Sequence, residues 1–164
     1  MRRPTPTTLS ASFWQAAATG PLAYPRCPAC STWHNYARPW CIRCLHAPLE
    51  LVPVDGQGSV YAATVVHRPT QPSFAKLAPY AYALVDLDEG IRVSTIVIGC
   101  PPDIVAAGMR VQAEIDLPSD EDQPATPLIL FTPVGSTSRT TPRSSRVRST
   151  RCAHPAANPQ NGES

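Results

Sequence analysis

The middle of the chain alternates apolar and polar residues at every second position, which is the period of a strand with one buried face. This pattern predicts five strands: Ser59–Val66, Tyr80–Asp86, Ile91–Ile98, Met109–Leu117 and Leu128–Phe131. The run Asp88-Glu89-Gly90 predicts a hairpin turn, and residues 101–107 predict one helical turn that Gly108 ends. Five short strands with a small helix before the fourth are typical of an OB-fold barrel, which we expect over residues 51–134.

A four-residue period appears near the N-terminus, within a segment that we place at residues 1–25. Leu9, Phe13 and Ala17 recur at this spacing and predict a short helix, capped by the serine at 10 or 12 and stopped by Gly20-Pro21. We expect Phe13 and Trp14 to pack against the rest of the protein; the alternative is a helix face that meets a partner. Residues 1–8 are predicted to be disordered.

The composition favours a mainly β protein, because 20 of the 164 residues are proline and proline disrupts helix interiors. Residues 135–164 are rich in Ser, Thr, Arg, Pro and Asn with almost no large apolar side chain, so we predict a disordered C-terminal tail. Residues 51–135 hold four basic and ten acidic side chains, which disfavours a nucleic-acid module. No apolar run is long enough to cross a bilayer.

Four cysteines carry the strongest chemical signal. Cys27-Pro-Ala-Cys30 and Cys41-Ile-Arg-Cys44 are two C-x2-C pairs separated by ten residues, and they predict a zinc ribbon over residues 26–50 with a tetrahedral thiolate site. Four thiolates leave no open position, so the zinc is expected to be structural; iron in the same cage, as an electron carrier, is the alternative. Such pairs indicate a reducing compartment, and we expect a cytoplasmic protein.

The remaining reactive side chains carry weaker signals. His34 and His46 lie near the cysteines in the sequence, but four thiolates already satisfy a metal, so both are expected at the surface. Cys100 is expected to be a half-buried thiol and not a nucleophile, because no His–Asp arrangement accompanies it. Three carboxylates at the predicted hairpin tip are expected to be solvated: Asp86, Asp88 and Glu89.

The order of these features resembles the bacterial and archaeal zinc-ribbon plus OB-fold proteins associated with acyl-CoA metabolism, long catalogued as a domain of unknown function. The resemblance covers about residues 10–133. It rests on Phe13-Trp14, Arg26-Cys27-Pro-Ala-Cys30, Arg38-Pro39-Trp-Cys41-Ile-Arg-Cys44, Gly56-Gln-Gly58-Ser-Val60-Tyr61, Thr64-Val-Val-His67-Arg68-Pro69, Pro79-Tyr80, Ala83-Leu-Val-Asp86-Leu-Asp-Glu-Gly90 and Gly108-Met-Arg-Val111. The expected fold class is therefore mainly β, with an N-terminal helix, a rubredoxin-like zinc ribbon, a five-stranded OB-fold barrel and a disordered C-terminal tail.

The resemblance implies a non-catalytic or co-catalytic subunit that binds acyl-CoA and assembles with a thiolase-like enzyme or a MaoC-type hydratase subunit. Reactions in such complexes include acyl transfer, thiolysis and retro-aldol cleavage of steroid side-chain CoA thioesters. For this role the best candidates to contact CoA are His67 and Arg68 at the end of the first predicted strand, with Phe74 and Lys76 in the Pro-rich loop that follows. The alternative for His67 and Arg68 is a solvated strand end, and no catalytic residue is predicted.

A second function, the binding of single-stranded nucleic acid, stays open because OB barrels and zinc ribbons both occur in such proteins. The acidic middle of the chain opposes it, and the five-Arg tail is more typical of a solvated segment. The aromatic side chains that could stack on bases are Tyr61, Tyr80, Tyr82 and Phe131.

An accessory subunit, in contrast, should expose an apolar docking patch when it is alone.

Overall fold

One helix and seven strands make up the computed structural model, which describes residues 3–35, 37–119 and 126–135. Two single 3-10 turns are inserted, Pro72–Phe74 and Pro102–Ile104. Within these residues no helix has the length and apolarity that a membrane crossing requires. The elements in chain order are α1 (Ala11–Thr19), β1 (Ala23–Arg26), β2 (Glu50–Pro53), β3 (Gln57–Val66), β4 (Tyr80–Leu87), β5 (Arg92–Val97), β6 (Arg110–Asp116) and β7 (Leu128–Pro133).

Five of the strands close into a barrel in the order β3-β4-β5-β7-β6. The pairs β3–β4, β4–β5, β3–β6 and β6–β7 are antiparallel, while β5 and β7 meet in parallel where Val97 lies opposite Phe131. The predicted mainly β architecture with a five-stranded barrel is confirmed, and each strand of the barrel lies within a few residues of a predicted one.

The alternation of side chains along the strands builds the core of the barrel. In β4 every second residue from Ala81 to Leu87 is buried, and the residues between them are more exposed. Val85, Val111 and Phe131, on three different strands, are 0% exposed and belong to one apolar cluster. Removing each such side chain from water contributes about 1.5–3 kcal/mol, which makes this cluster the main stabilising element.

The two turns predicted from the sequence, one at the hairpin and one helical, are present. The hairpin between β4 and β5 runs through Gly90, whose φ of +90° lies in the left-handed region that a residue without a Cβ adopts at little cost. Its amide donates a hydrogen bond to the carbonyl of Leu87 at 2.9 Å. The helical turn expected over residues 101–107 is shorter than predicted and consists of the 3-10 turn Pro102–Ile104.

The small sheet formed by β1 and β2 was not predicted. The two strands pair antiparallel over their whole length, but each has only four residues and each contains a proline, Pro25 or Pro53. Such short segments show too little alternation to be distinguished from loops. The sheet still shares the core of the barrel, since Leu22, Tyr24 and Val54 belong to the same apolar cluster.

The N-terminal helix agrees with the prediction. Ser10 occupies the N-cap position, but its side chain makes no capping bond; its Oγ accepts a hydrogen bond from the amide of Thr7 at 2.9 Å. Phe13 packs against the core cluster, with its ring centroid 5.5 Å from that of Tyr24 and 4.9 Å from that of Trp14. The expected packing of this helix on the rest of the protein is confirmed for Phe13.

The prediction of disorder over residues 1–8 is wrong at Arg3. Its side chain is 7% exposed and donates to the carbonyl oxygens of Asp116, Leu117 and Thr126 at 2.9, 3.1 and 3.0 Å. It also donates to the carboxylate of Asp116 at 2.9 Å. The guanidinium therefore holds the N-terminal segment against the end of β6 and the residues that precede β7. The predicted disorder of the C-terminal tail concerns residues that, beyond Gly135, lie outside the described ones.

Candidate functional site

The four predicted metal-ligating cysteines lie on two turns that have the same backbone geometry. In the first turn the amide of Ser31 donates to the carbonyl of Cys27 at 2.9 Å, and in the second the amide of Leu45 donates to the carbonyl of Cys41 at 2.9 Å. Ser31 and Leu45 hold equivalent positions and have φ values of 57° and 61°. The repeated C-x2-C motif thus folds into two matching knuckles that face each other.

The sulfur atoms of the tetrad meet the geometric requirement of a tetrahedral ion. All four Sγ atoms lie within 4.8 Å of one another, and those of Cys27 and Cys44, like those of Cys30 and Cys41, are 3.5 Å apart. A tetrahedron with Zn–S bonds of about 2.3 Å has edges of about 3.8 Å, which falls inside this range. The donor set and its dimensions therefore fit Zn2+.

The surroundings of the tetrad act in opposite directions on two of its thiols. For Cys44 a hydrogen bond with the backbone of His46 lowers the pKa, but hydrogen bonds with the other three cysteines and burial outweigh it and raise the pKa to about 12. The amide of Arg43 donates to the Sγ of Cys41 at 3.3 Å, as expected for a knuckle whose N–H groups point at sulfur. The side chain of Thr32, and then its backbone, hydrogen bond to Cys30 and lower the pKa of that thiol to about 6. Cys27 and Cys41 are 1% and 0% exposed, so two of the four sulfurs lie in the interior.

The two histidines near the tetrad differ from each other. His46 is exposed, as expected, whereas His34 is 4% exposed and the expectation that it lies at the surface is wrong. The cause is a local pairing: the amide of His34 donates to the carbonyl of Pro25 at 2.8 Å, next to a bridge between Arg26 and Trp33. Burial, and secondarily the positive charge of Arg38, lower the pKa of His34.

The four residues predicted to contact CoA lie on one loop. Val66, the last residue of β3, pairs with Tyr80, the first of β4, so residues 67–79 leave and re-enter the sheet at the same place. His67, Arg68 and Lys76 are exposed on this loop. Phe74 is half-buried in the 3-10 turn, with its ring centroid 6.1 Å from that of Tyr80.

Asp86 and Asp88 at the hairpin tip stay 42% and 52% exposed, as expected for solvated carboxylates, but both are also paired with arginines. Asp86 accepts two hydrogen bonds from Arg92 at 2.6 and 2.8 Å, and Asp88 accepts two from Arg110, both at 2.7 Å. Glu89 accepts a hydrogen bond from the amide of Asp55 at 2.8 Å. Hydrogen bonds from the arginines are the first cause of the lowered pKa values of Asp86 and Asp88.

One contact in this region was not predicted from the sequence. The guanidinium carbon of Arg92 lies 3.4 Å from the centre of the Tyr61 ring, while the same side chain pairs with Asp86. The hairpin predicted at residues 88–90 places Asp86 opposite Arg92, so the ion pair was accessible to sequence reasoning. The stacking of Arg92 on Tyr61 of β3 could not be predicted from the sequence, because it depends on the register between β3 and β4.

Cys100 is half-buried and packs against the core cluster, as expected for a thiol with a packing role. It lies apart from the tetrad, whose sulfur atoms define the only group of three or more potential metal ligands within the described residues.

Comparison with known proteins identifies both halves of the chain. Residues 14–50 match the model of the ChsH2 rubredoxin-like zinc ribbon domain, and residues 51–116 match that of the ChsH2 C-terminal OB-fold domain. A DUF35 domain-containing scaffold protein of Methanothermobacter thermautotrophicus is 32% identical over 92 residues, which cover 56% of this chain and 68% of that protein.

Two further similar proteins are described as parts of a hydratase and of an aldolase. A probable enoyl-CoA hydratase alpha subunit of Thermomonospora curvata is 36% identical over 122 residues; these cover 71% of this chain and only 38% of the longer relative. A chain of a solved structure described as an Ltp2-ChsH2(DUF35) aldolase is 34% identical, with a TM-score of 0.68; the match covers 80% of this chain and 98% of that one.

Proposed function

The chain belongs to the family of ChsH2 and DUF35 proteins, in which a zinc ribbon precedes an OB-fold domain, and from this we propose that it is an accessory subunit of an acyl-CoA-processing complex. In this proposal it binds acyl-CoA and assembles with a thiolase-like enzyme that catalyses acyl transfer, thiolysis or retro-aldol cleavage of a CoA thioester. The observation that carries the proposal is the 34% identity and TM-score of 0.68 with a chain of the Ltp2-ChsH2(DUF35) aldolase, 98% of which is matched.

The chemistry of the described residues supports a role without catalysis by this subunit. Four thiolates around a zinc ion leave no position for water or substrate, so we assign the metal a structural role in the ribbon, residues 26–50. The paired side chains Asp86–Arg92 and Asp88–Arg110 hold each other on the barrel, residues 51–134, at 2.6–2.8 Å. Acid–base or nucleophilic work in the complex then falls to the partner enzyme. We also propose that the complex works in a reducing compartment, the cytoplasm, because metal-binding thiolates are typical of compartments in which disulfides do not persist.

The loop of residues 67–79 is our candidate for the acyl-CoA contact. It presents the exposed cations Arg68 and Lys76 together with His67, and guanidinium and ammonium groups suit the phosphates of CoA. The half-buried ring of Phe74 offers an apolar wall for the pantetheine arm.

The second knuckle of the ribbon supports assembly with another protein. Trp40, Ile42 and Leu45 are 53%, 61% and 73% exposed, and the three lie within six residues of one another. Large apolar side chains grouped in this way are typical of surfaces that are covered in a complex. The sequence-based expectation of an exposed apolar patch agrees with this knuckle.

The experiment that tests the proposal is affinity purification of the tagged full-length chain from its native extract, with mass spectrometry and metal analysis of the same sample. We expect a stoichiometric thiolase-like enzyme and one zinc per chain; a MaoC-type hydratase subunit instead would keep the accessory role and change the reaction class. Iron at the tetrad would indicate an electron carrier. Co-purified nucleic acid without an enzyme would favour the alternative of a single-strand binder, for which the exposed rings of Tyr61 and Tyr82 are the available stacking surfaces.

The binding of CoA is measured on the purified complex. The double variant Arg68→Ala/Lys76→Ala is expected to weaken the affinity for an acyl-CoA at least about tenfold, because it removes two phosphate partners. Arg38→Ala is the matched control, since Arg38 is an exposed arginine on the ribbon and outside the loop. Equal affinities of the double variant and the control would refute the assignment of the loop.

A further inference from the structure

The strand β4 carries a row of side chains on the outer face of the barrel. Its odd-numbered residues are buried in the core, so the even-numbered ones, Tyr80, Tyr82 and Leu84, point outwards. Side chains two residues apart on one face of a strand are about 7 Å from each other. Tyr80 directly follows the loop of residues 67–79, and its ring centroid lies 6.1 Å from that of Phe74 in this loop. Tyr82 is therefore one step along the outer face from the loop.

Tyr82 has the open ring of this row. It is 41% exposed and lies between Thr64 of β3 and Ile96 of β5. Within the described residues neither an aromatic ring nor a guanidinium group lies against it. The other outward tyrosines are partly covered, Tyr80 by the ring of Phe74 and Tyr61 on one face by a guanidinium 3.4 Å from its centre. An exposed ring of this kind is a platform on which a flat group can stack.

The four basic side chains of residues 51–135 fall into two pairs. Arg92 and Arg110 are each bonded to an aspartate on the barrel. Arg68 and Lys76 are exposed, and neither forms an ion pair with a carboxylate among the residues that the structure describes. Both lie on the loop next to Tyr80. The unneutralised positive charge of the barrel is thus found at the end of the outer row where Tyr82 has its open ring.

We infer that Tyr82 stacks on the adenine ring of acyl-CoA while Arg68 and Lys76 bind the phosphates of the same nucleotide. This inference rests on the proposed function and names the part of the ligand that the barrel holds. The nucleotide end of CoA carries a flat base, and the ribose to which the base is attached also bears a 3′-phosphate and the diphosphate. One open ring beside two unpaired cations matches this combination of a planar group and clustered anions.

The distribution of charge favours a single nucleotide over a nucleic-acid strand. A single strand has a phosphate at every nucleotide and needs cations along the whole of its path. Beyond Tyr82 the outer row continues to Leu84 and then to the carboxylate of Asp86. Residues 51–135 also hold ten acidic side chains against four basic ones. The positive charge stops at the loop, so the face suits a ligand whose phosphates are grouped at one end.

A spectroscopic test uses the zinc-loaded full-length chain with adenosine 3′,5′-bisphosphate as the probe. A base that stacks on a tyrosine ring has its H2 and H8 proton resonances shifted upfield. We expect this shift with the wild type and with Tyr82→Phe, which keeps the ring, and its loss in Tyr82→Leu. An adenine spectrum that is the same with the wild type and with Tyr82→Leu overturns the inference.

Affinities measured on the purified complex give an independent readout. Tyr82→Leu should weaken the binding of acyl-CoA at least about tenfold, because base stacking is lost, whereas Tyr82→Phe should stay within about threefold of the wild type. Tyr61→Leu is the matched control, since Tyr61 is an exposed tyrosine on the neighbouring strand. 4′-Phosphopantetheine has no base, so the wild type and Tyr82→Leu should bind it equally. Zinc content and thermal unfolding report whether each variant is folded.

The outcomes separate the inference from the proposed function. If the complex binds acyl-CoA and Tyr82→Leu binds it as tightly as Tyr61→Leu does, the stacking site is refuted and the accessory role stands. If the wild-type complex binds no acyl-CoA, the proposed function fails and the inference fails with it. If an oligoadenylate strand binds the wild-type chain more tightly than CoA does, the face belongs to a nucleic acid and the choice of CoA is refuted.

Discussion

The buried guanidinium of Arg3 gives the sharpest test of the fold, because it fastens a segment that the sequence pattern marked as disordered. We expect Arg3→Ala to lower the free energy of unfolding. With partners in the described part of the chain the side chain makes four hydrogen bonds: three to the carbonyl oxygens of Asp116, Leu117 and Thr126, and one to the carboxylate of Asp116. All four are lost at once in the variant.

The size of the loss in unfolding free energy follows from the exposure of each hydrogen-bond partner of Arg3. The carboxylate of Asp116 belongs to a side chain that is 49% exposed, so the ion pair alone contributes under about 1 kcal/mol. The bond to the carbonyl of Thr126 is buried, and a buried acceptor left without its charged donor costs about 1.5–3 kcal/mol. Water can replace the donor at the part-buried carbonyls of Asp116 and Leu117. The net loss is about 2–3 kcal/mol, or about 10 °C in Tm for a domain of this size.

The assay is denaturant and thermal unfolding of the zinc-loaded protein, followed by circular dichroism. Arg68→Ala serves as the control, because Arg68 is an exposed arginine that should leave the stability within about 0.5 kcal/mol of the wild type. Asp116→Asn should cost less than half as much as Arg3→Ala, since it keeps the carbonyl bonds. If Arg3→Ala and Arg68→Ala were equally stable, the reasoning about the buried carbonyl would be refuted.

Three further predictions concern the barrel and the ribbon. Gly58→Ala should lower the free energy of unfolding by about 2–3 kcal/mol in a urea melt, because the new Cβ would overlap the carbonyl of Asp86. Gly20→Ala is the control and should lower it far less, because the nearest atom to its new Cβ is 3.6 Å away; equal effects would contradict the close approach at Gly58. Hydrogen bonds from Arg92 lower the pKa of Asp86 from 3.8, so this pair stabilises the fold above about pH 4, and its contribution disappears as the pH falls through the lower pKa of the native state. The free energy of unfolding should therefore depend less on pH in Asp86→Asn than in the wild type. Cys41→Ser should lose the zinc and the ribbon while the barrel keeps its own unfolding transition, and a single loss of all structure would show instead that the barrel depends on the metal.

The barrel was predictable because each of its strands is long enough to show alternation. The eight residues of β4 give four buried positions in register, and the hairpin that follows adds a turn signal at Gly90. The tetrad was predictable for a different reason: two C-x2-C pairs at close spacing specify a local geometry that needs no knowledge of the rest of the fold.

The features that were missed depend on residues far apart in the chain. The burial of Arg3 requires β6 and the residues before β7 to present their carbonyl oxygens at the same place, more than 110 positions away in sequence. His34 is buried because its backbone amide bonds to the carbonyl of Pro25, and neither residue lies in a sequence pattern that predicts this pairing. Local periodicity reports which face of an element is buried, but it does not report which distant group covers a polar side chain.

The contacts between the ribbon and the barrel explain why a structural metal matters for a surface on the barrel. Asn35, which follows the first knuckle, donates to the carbonyl of Arg92 at 2.8 Å, and Arg92 in turn stacks on Tyr61 in β3. Zinc binding folds the ribbon, and the folded ribbon keeps the amide of Asn35 in place. Removal of the metal should therefore loosen the contact between Arg92 and Tyr61 even where the apolar core of the barrel, centred on Phe131, stays closed. The ribbon is thus best understood as a support for this part of the barrel surface.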